Sequence, residues 1–125
     1  MKDQKFSISK RIKSFGFAFN GFKILIREEH NSRIHLFAIC CVIFCGLILK
    51  ISSTEWIAVV FASGFVVVME IVNSAIENIS DFISPEKHEM IKKIKDLSAA
   101  AVLIAALTAV ITGLIIFAPK IYCLC

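Results

Sequence analysis

Residues 56–81 read WIAVVFASGFVVVMEIVNSAIENISD. The run opens apolar and turns polar only in its last twelve residues, EIVNSAIENISD. A bilayer-crossing helix takes roughly 20 apolar residues, and the stretch from Trp56 to about Ile79 supplies them. At about 100° per residue, Glu70, Asn73, Ser74, Glu77 and Asp81 fall on one narrow helical face. Carboxylates at membrane depth are costly and by default functional. The stretch therefore predicts both a membrane-spanning helix and a chemical site at one end of it.

Two further segments of the 125-residue chain resemble it in apolar character: 34–51 and 97–118. With 58% hydrophobic residues and a mean hydropathy of +0.80, the chain is too apolar for an ordinary soluble domain. Three long apolar runs argue against a membrane β-barrel, which needs many short alternating segments. The expected fold is all-α and integral to the membrane. One domain, 1–125, carries an N-terminal amphipathic surface helix at about 5–30 and transmembrane helices at about 34–51, 56–79 and 97–118. The leading Met-Lys-Asp-Gln is polar, with no cleavable signal pattern behind it.

Charge sets the orientation. Lys2, Lys5, Lys10, Arg11, Lys13, Lys23, Arg27 and Arg33 precede or open the first span, and Lys87, Lys92, Lys93 and Lys95 lie between the second and third. The connection 52–55 has no basic residue. Twelve of the fourteen basic residues thus share one side, expected to be the cytoplasm. The net charge of +4 is a topology signal, not a nucleic-acid-binding patch. Cys40, Cys41 and Cys45 read as small apolar residues within a span. Cys123 and Cys125 end the chain on the expected outer side, and Cys-x-Cys without a nearby His is no zinc signature.

Outside the spans, Ile8, Ile12, Phe15, Phe19, Phe22 and Ile26 recur at helical spacing beside Lys13 and Arg27. A basic helix with such a stripe suits a membrane surface, or equally packs on the bundle. Ser52-Ser53-Thr54-Glu55 is an expected tight outer turn, followed by Trp56 as an interfacial anchor. Ser84-Pro85-Glu86 has the form of a helix start, with Ser84 as N-cap. The alanines at 99–101 and 105–106 offer a small-residue packing surface.

At the inner ends of the helices stand Glu28, Glu29, Glu70, Asn73, Glu77, Asp81, Lys95 and Asp96. Mg²⁺ takes carboxylate oxygens together with water and substrate phosphates, so this set suits a hard cation. Lys95 can hold a phosphate as a point charge. Glu70, the deepest acid, is placed to serve as general base for a lipid hydroxyl. Plainer readings stand beside these: Glu77 and Asp81 as a solvated helix end, Asn73 as interhelical glue, Lys92 and Lys93 as topology charge. His30, His35 and His88 read as unremarkable surface residues. No glycine-rich phosphate loop or kinase-type motif is present, so nucleotide chemistry here needs a non-standard site. A small proton-coupled transporter using Glu70 is an alternative, although the outer halves of the first and third spans lack a polar path. A non-enzymatic scaffold would not need these acids to converge.

The segments EIVNSAIENISD and KIKDLSAAAV resemble the small prokaryotic diacylglycerol kinase family, which includes the undecaprenol kinases. The resemblance runs from about Ser9 to Lys120 and takes in Glu29, His88 and the Lys95-Asp96 pair. It implies a homotrimer of three-span subunits in the bacterial inner membrane, N-terminus cytoplasmic, with sites at subunit interfaces. It implies an enzyme that uses ATP and Mg²⁺ to phosphorylate a lipid alcohol. By position, Glu70 matches the catalytic base and Asn73 its support, while Glu29 and Glu77 match the Mg²⁺ ligands that bridge the ATP phosphates. Lys95 and Asp96 match nucleotide contacts, with Lys10, Phe17, Glu86, Lys87 and His88 as further candidates. Ala99 and Trp56 join Glu70 on the lipid side. Phe17 stands where diacylglycerol enzymes tend to have Tyr, and Ala99 where some members have Ser. Arg33-Ile34-His35, Glu55-Trp56 and the terminal GLIIFAPK lean towards the undecaprenol type.

Overall fold

The computed structural model describes residues 7–84, 86 and 88–124. Four helices follow one another: α1, Ile8–Glu28; α2, His30–Leu49; α3, Ser53–Ile83; and α4, Glu89–Leu124. No strand occurs among the described residues. The last three helices are each long and apolar enough to cross a membrane. α3 and α4 form the closest pair, α2 packs on α3, and α1 touches both α2 and α3.

A single residue separates α1 from α2. Glu29 is extended (φ −108°, ψ 108°), and its N–H donates to the Leu25 carbonyl at 3.0 Å. The second helix thus starts at His30, earlier than the expected 34, and its polar first turn belongs to the site below. Ile8, Ile12, Phe15 and Phe19 are at least 66% exposed, whereas Leu25 is buried. Among the described residues, the aromatic stripe of α1 is therefore left uncovered, and α1 is anchored at its C-terminal end.

At the far end of the bundle, Lys50 closes α2 in the left-handed region (φ 52°). Ser52 then starts α3 with a capping box. Its hydroxyl accepts the Glu55 N–H at 3.2 Å, and the Glu55 carboxylate accepts the Ser52 N–H at 2.9 Å. Glu55 also pairs with Lys120 of α4 at 3.1 Å. The Trp56 indole lies over Gly46 so closely that a Cβ there would come within 2.8 Å of the ring. The small apolar core beneath is Ile51, Val59 and Ile116, with Trp56 and Val42 packed against it.

The polar end differs from the expectation. At about 1.5 Å per residue, the 31 residues of α3 span about 46 Å, longer than a hydrocarbon core of about 30 Å. The acidic tail thus continues the same helix. Ser84 is the C-cap of α3 and not the N-cap of α4; its hydroxyl donates to the Glu86 carbonyl at 3.1 Å. α4 instead begins at Glu89, where the His88 imidazole Nδ1 accepts the Met90 N–H at 3.1 Å, as a capping side chain does. Pro85 and Lys87 lie outside the described residues. The helix then runs unbroken through Pro119, beyond the expected end at 118.

Among the described residues, the buried apolar side chains are Leu25, Ile51, Val59, Val66, Ala105 and Ile116. Most of the apolar surface therefore faces outwards, as a bilayer-embedded chain requires.

Candidate active site

Glu70 lies on the face of α3 turned towards α2 and is only 4% exposed. Two side chains one helical turn apart on α2 reach its two oxygens. The Ser32 hydroxyl donates to Oε2 at 2.8 Å, and His35 Nδ1 stands 2.6 Å from Oε1. The second contact is close but not aligned as a hydrogen bond, and neither of its two buried atoms has another partner among the described residues. One turn along α3, Asn73 is tied to α4: the Ser98 hydroxyl donates to its Oδ1 at 2.6 Å. Ser74 is buried, and its carbonyl accepts from the Asn78 amide at 2.8 Å.

Glu29, at the α1–α2 break, is brought to Glu77 of α3. Burial pushes the Glu29 carboxyl above the usual carboxylate range. The negative charge of Glu77, and more weakly that of Glu70, push the same way, while the nearby Ser74 hydroxyl pulls it down. Two carboxylates that repel each other at one spot form a natural seat for a cation. Among the described residues, no three His, Cys, Asp or Glu side chains are grouped to enclose a metal. The pair therefore fits an ion that arrives with most of its shell supplied by water and phosphate oxygens, the habit of Mg²⁺. It does not fit a closed all-protein metal cage.

These groups line a cleft of about 460 Å³ with two contrasting walls. Glu29, Asn31, His35, Glu70, Asn73 and Glu77 make the polar wall, and Ala99, Val102, Leu103 and Ala106 of α4 the apolar one. His35 and Ala106 also border a second, apolar groove of about 230 Å³ that runs on between Val42, Val59, Val66 and Ala109. A molecule with a polar head and an apolar tail matches this sequence of surfaces.

A third cleft, of about 470 Å³, lies where α3 gives way to α4; Asp81, Glu86, His88, Lys92, Lys95 and Asp96 are among its lining. Lys95 Nζ pairs with Asp81 at 2.6 Å, and Lys92 Nζ with Asp96 at 2.7 Å. All four side chains are at least 35% exposed, so these pairs are weak and exchangeable.

Of the residues singled out in the sequence, Glu29, Glu70, Asn73, Glu77 and Ala99 share the first cleft. Glu86, His88, Lys95 and Asp96 share the cleft at the α3–α4 turn. Lys10 and Phe17 lie on the exposed part of α1 and line neither cleft. Trp56 is 14 residues before Glu70, about 21 Å along the helix, in the core at the opposite end. Lys87 is outside the described residues. Sequence reasoning passed over Ser32, His35 and Ser98. Ser32 and His35 carry a signal in their spacing, three apart at the polar start of a span. Nothing in the sequence says that they face Glu70.

The fold and clefts define a helical membrane protein with its charged sites gathered at one end of its spans. Residues 16–117 match the family described as prokaryotic diacylglycerol kinase. The undecaprenol kinase of Bacillus subtilis (strain 168) is 35% identical over 120 residues, covering 96% of this chain and 98% of the relative. The diacylglycerol kinase of Escherichia coli (strain K12) is 30% identical over 116 residues, covering 93% and 95%. The chain belongs to the prokaryotic diacylglycerol kinase family. The comparisons lend no support to a transporter.

Proposed function

We propose that this protein is a bacterial inner-membrane lipid kinase that moves the γ-phosphoryl group of ATP to the hydroxyl of a membrane lipid alcohol in the presence of Mg²⁺. The observation that carries this reading is the buried Glu70, hydrogen-bonded by Ser32 on one oxygen and contacted by His35 on the other, in a polar cleft that His35 and Ala106 join to an apolar groove. A lipid hydroxyl is confined to that boundary, whereas ATP stays in water. Glu70 accepts the hydroxyl proton as the new O–P bond forms and the bond to the ADP leaving group breaks. Asn73, fixed by Ser98, shapes the wall beside it. Glu29 and Glu77 would hold Mg²⁺, which supplies charge neutralisation at the phosphates when bound. Lys95, once released from Asp81, offers a point charge to a phosphate; Asp96, Glu86 and His88 border the same nucleotide-facing cleft.

In this reading the active unit is a homotrimer with its N-terminus in the cytoplasm. The uncovered stripe of α1 rests on the inner membrane surface, and Lys10 and Phe17 approach nucleotide bound on a neighbouring subunit. Undecaprenol is the favoured acceptor over diacylglycerol, in keeping with the higher identity to the relative named for it. The test is a side-by-side assay of purified protein in detergent with undecaprenol, diacylglycerol or no lipid, with and without Mg²⁺. ATP consumption that needs both Mg²⁺ and a lipid alcohol, faster with undecaprenol, is expected. ATP consumption without lipid, or none with either alcohol, refutes the reading.

A further inference from the structure

The geometry points to His35 as a positioning residue that, together with Ser32, clamps the carboxylate of Glu70; the inference rests on Glu70 being the base, as proposed above. A lone buried carboxylate on a helix can rotate about its side-chain torsions, and a base that wanders loses its aim at the acceptor. Here each oxygen has its own neighbour on α2: Ser32 on Oε2 at 2.8 Å and His35 on Oε1 at 2.6 Å. Ser32 is 1% exposed, and its hydroxyl is directed to Glu70. His35 differs. Its side chain is 29% exposed against 5% for Glu70, and it borders both the polar cleft and the apolar groove. It therefore stands where the head and tail of an amphipathic acceptor divide, one atom from the base. α4 contributes only Ala99, Val102, Leu103 and Ala106 to the opposite wall of the cleft, so no side chain from that helix can replace His35 in holding Glu70. The close contact is not aligned as a hydrogen bond, and a small rotation of either side chain would complete it.

The test uses full-length protein in detergent with ATP, Mg²⁺ and the preferred lipid alcohol. His35→Leu keeps bulk and removes the polar contact; His35→Asn places an amide nitrogen near the position of Nδ1. His35→Leu should lower kcat about 10–100-fold, with the KM for ATP unchanged, and His35→Asn should recover most of the loss. In a Glu70→Gln background, His35→Leu should cost less than about twofold more, because it acts through Glu70. Full kcat in His35→Leu, equal loss in both variants, or losses that multiply with Glu70→Gln overturn the inference. A spectroscopic readout is independent of turnover. The carboxylate infrared band that disappears in Glu70→Gln should shift in His35→Leu, and an unshifted band overturns the clamp. If wild-type protein phosphorylates no lipid while the band shifts, the kinase reading fails and the clamp stands.

Discussion

Replacing Glu70 separates chemistry from structure, because each substitution has a calculable effect on the two contacts. Glu70→Gln conserves volume. Its amide oxygen can still accept from Ser32, now at 2.8 Å, and its NH₂ can donate to the imidazole nitrogen of His35, now at 2.6 Å. Ser32 keeps its hydrogen bond and His35 keeps a polar neighbour, so stability should change by less than about 1 kcal/mol. What disappears is the basic oxygen. General-base catalysis contributes about 10²–10⁴-fold, or about 2.7–5.4 kcal/mol of barrier, and kcat should fall by that factor. Glu70→Asp keeps the base but withdraws it by about one C–C bond, ~1.5 Å, which breaks both contacts; a loss of about 10²-fold is expected. Glu70→Ala is the wrong probe, since it leaves Ser32 and His35 unpaired at about 1–3 kcal/mol each. Nucleotide affinity should hold in Glu70→Gln, because the cleft bearing Lys95 and Asp96 contains no part of Glu70 and the carboxylates of Glu29 and Glu77 are unchanged. The assay is steady-state turnover and ATP binding on the same purified variants, with thermal unfolding as the control for structure. A kcat for Glu70→Gln within about twofold of wild type, or a loss of ATP binding in parallel with activity, would refute the reasoning.

Three further outcomes are expected. Glu29 holds its proton more tightly folded than unfolded, so its contribution to stability is complete at acid pH and fades as pH rises through its raised pKa; a divalent ion relieves that loss. Mg²⁺ should therefore raise the unfolding temperature more at neutral pH than at about pH 5, and the difference should vanish in Glu77→Gln; a pH-independent Mg²⁺ effect would contradict the paired-carboxylate seat. Gly46→Leu should destabilise by about 1–3 kcal/mol, since even a Cβ meets Trp56 at 2.8 Å and Ile51 at 3.1 Å, whereas Gly16→Ala, in open space, should gain up to about 1 kcal/mol of helix propensity; thermal unfolding of both variants in one detergent checks the contrast. In a cysteine-free background and sealed inner-membrane vesicles of known sidedness, a cysteine at Asn20 should react from the cytoplasmic face and one at Ser53 from the opposite face; the reverse pattern would overturn the orientation.

Much of the bundle is legible in the sequence. Hydrophobic runs of spanning length need no partner to be recognised, because the bilayer requirement acts on each segment separately. The turn at 52–55 is legible for the same reason: the capping box that closes it is a contact over three residues. Ends that depend on competing local signals are not. Ser84-Pro85-Glu86 has the composition of a helix start, yet α3 runs on to Ile83 and makes Ser84 its own C-cap, leaving His88 to cap α4. Trp56 fits its place as an end-of-span aromatic but packs on Gly46, a contact that joins two helices.

The candidate site divides along the same line. Helical periodicity alone put Glu70, Asn73 and Glu77 on one face, because residues three and four apart on a helix are neighbours whatever surrounds them. Helical pitch puts His35 one turn after Ser32, yet nothing in the sequence distinguishes either from a surface residue. The approach of His35 to Glu70 depends on how α2 is rotated and shifted against α3, and that register is set by the summed packing of Gly46, Trp56, Val59 and their neighbours. The same holds for Ser98 on Asn73 and for Glu29 against Glu77, where a one-residue break between α1 and α2 delivers the acid. Sequence by itself determined which groups can share a face, since that follows from the pitch of one helix. Only the tertiary structure decided which faces meet, since a shift of one residue along either helix, about 1.5 Å, and the turn of about 100° that goes with it would part a 2.6 Å contact.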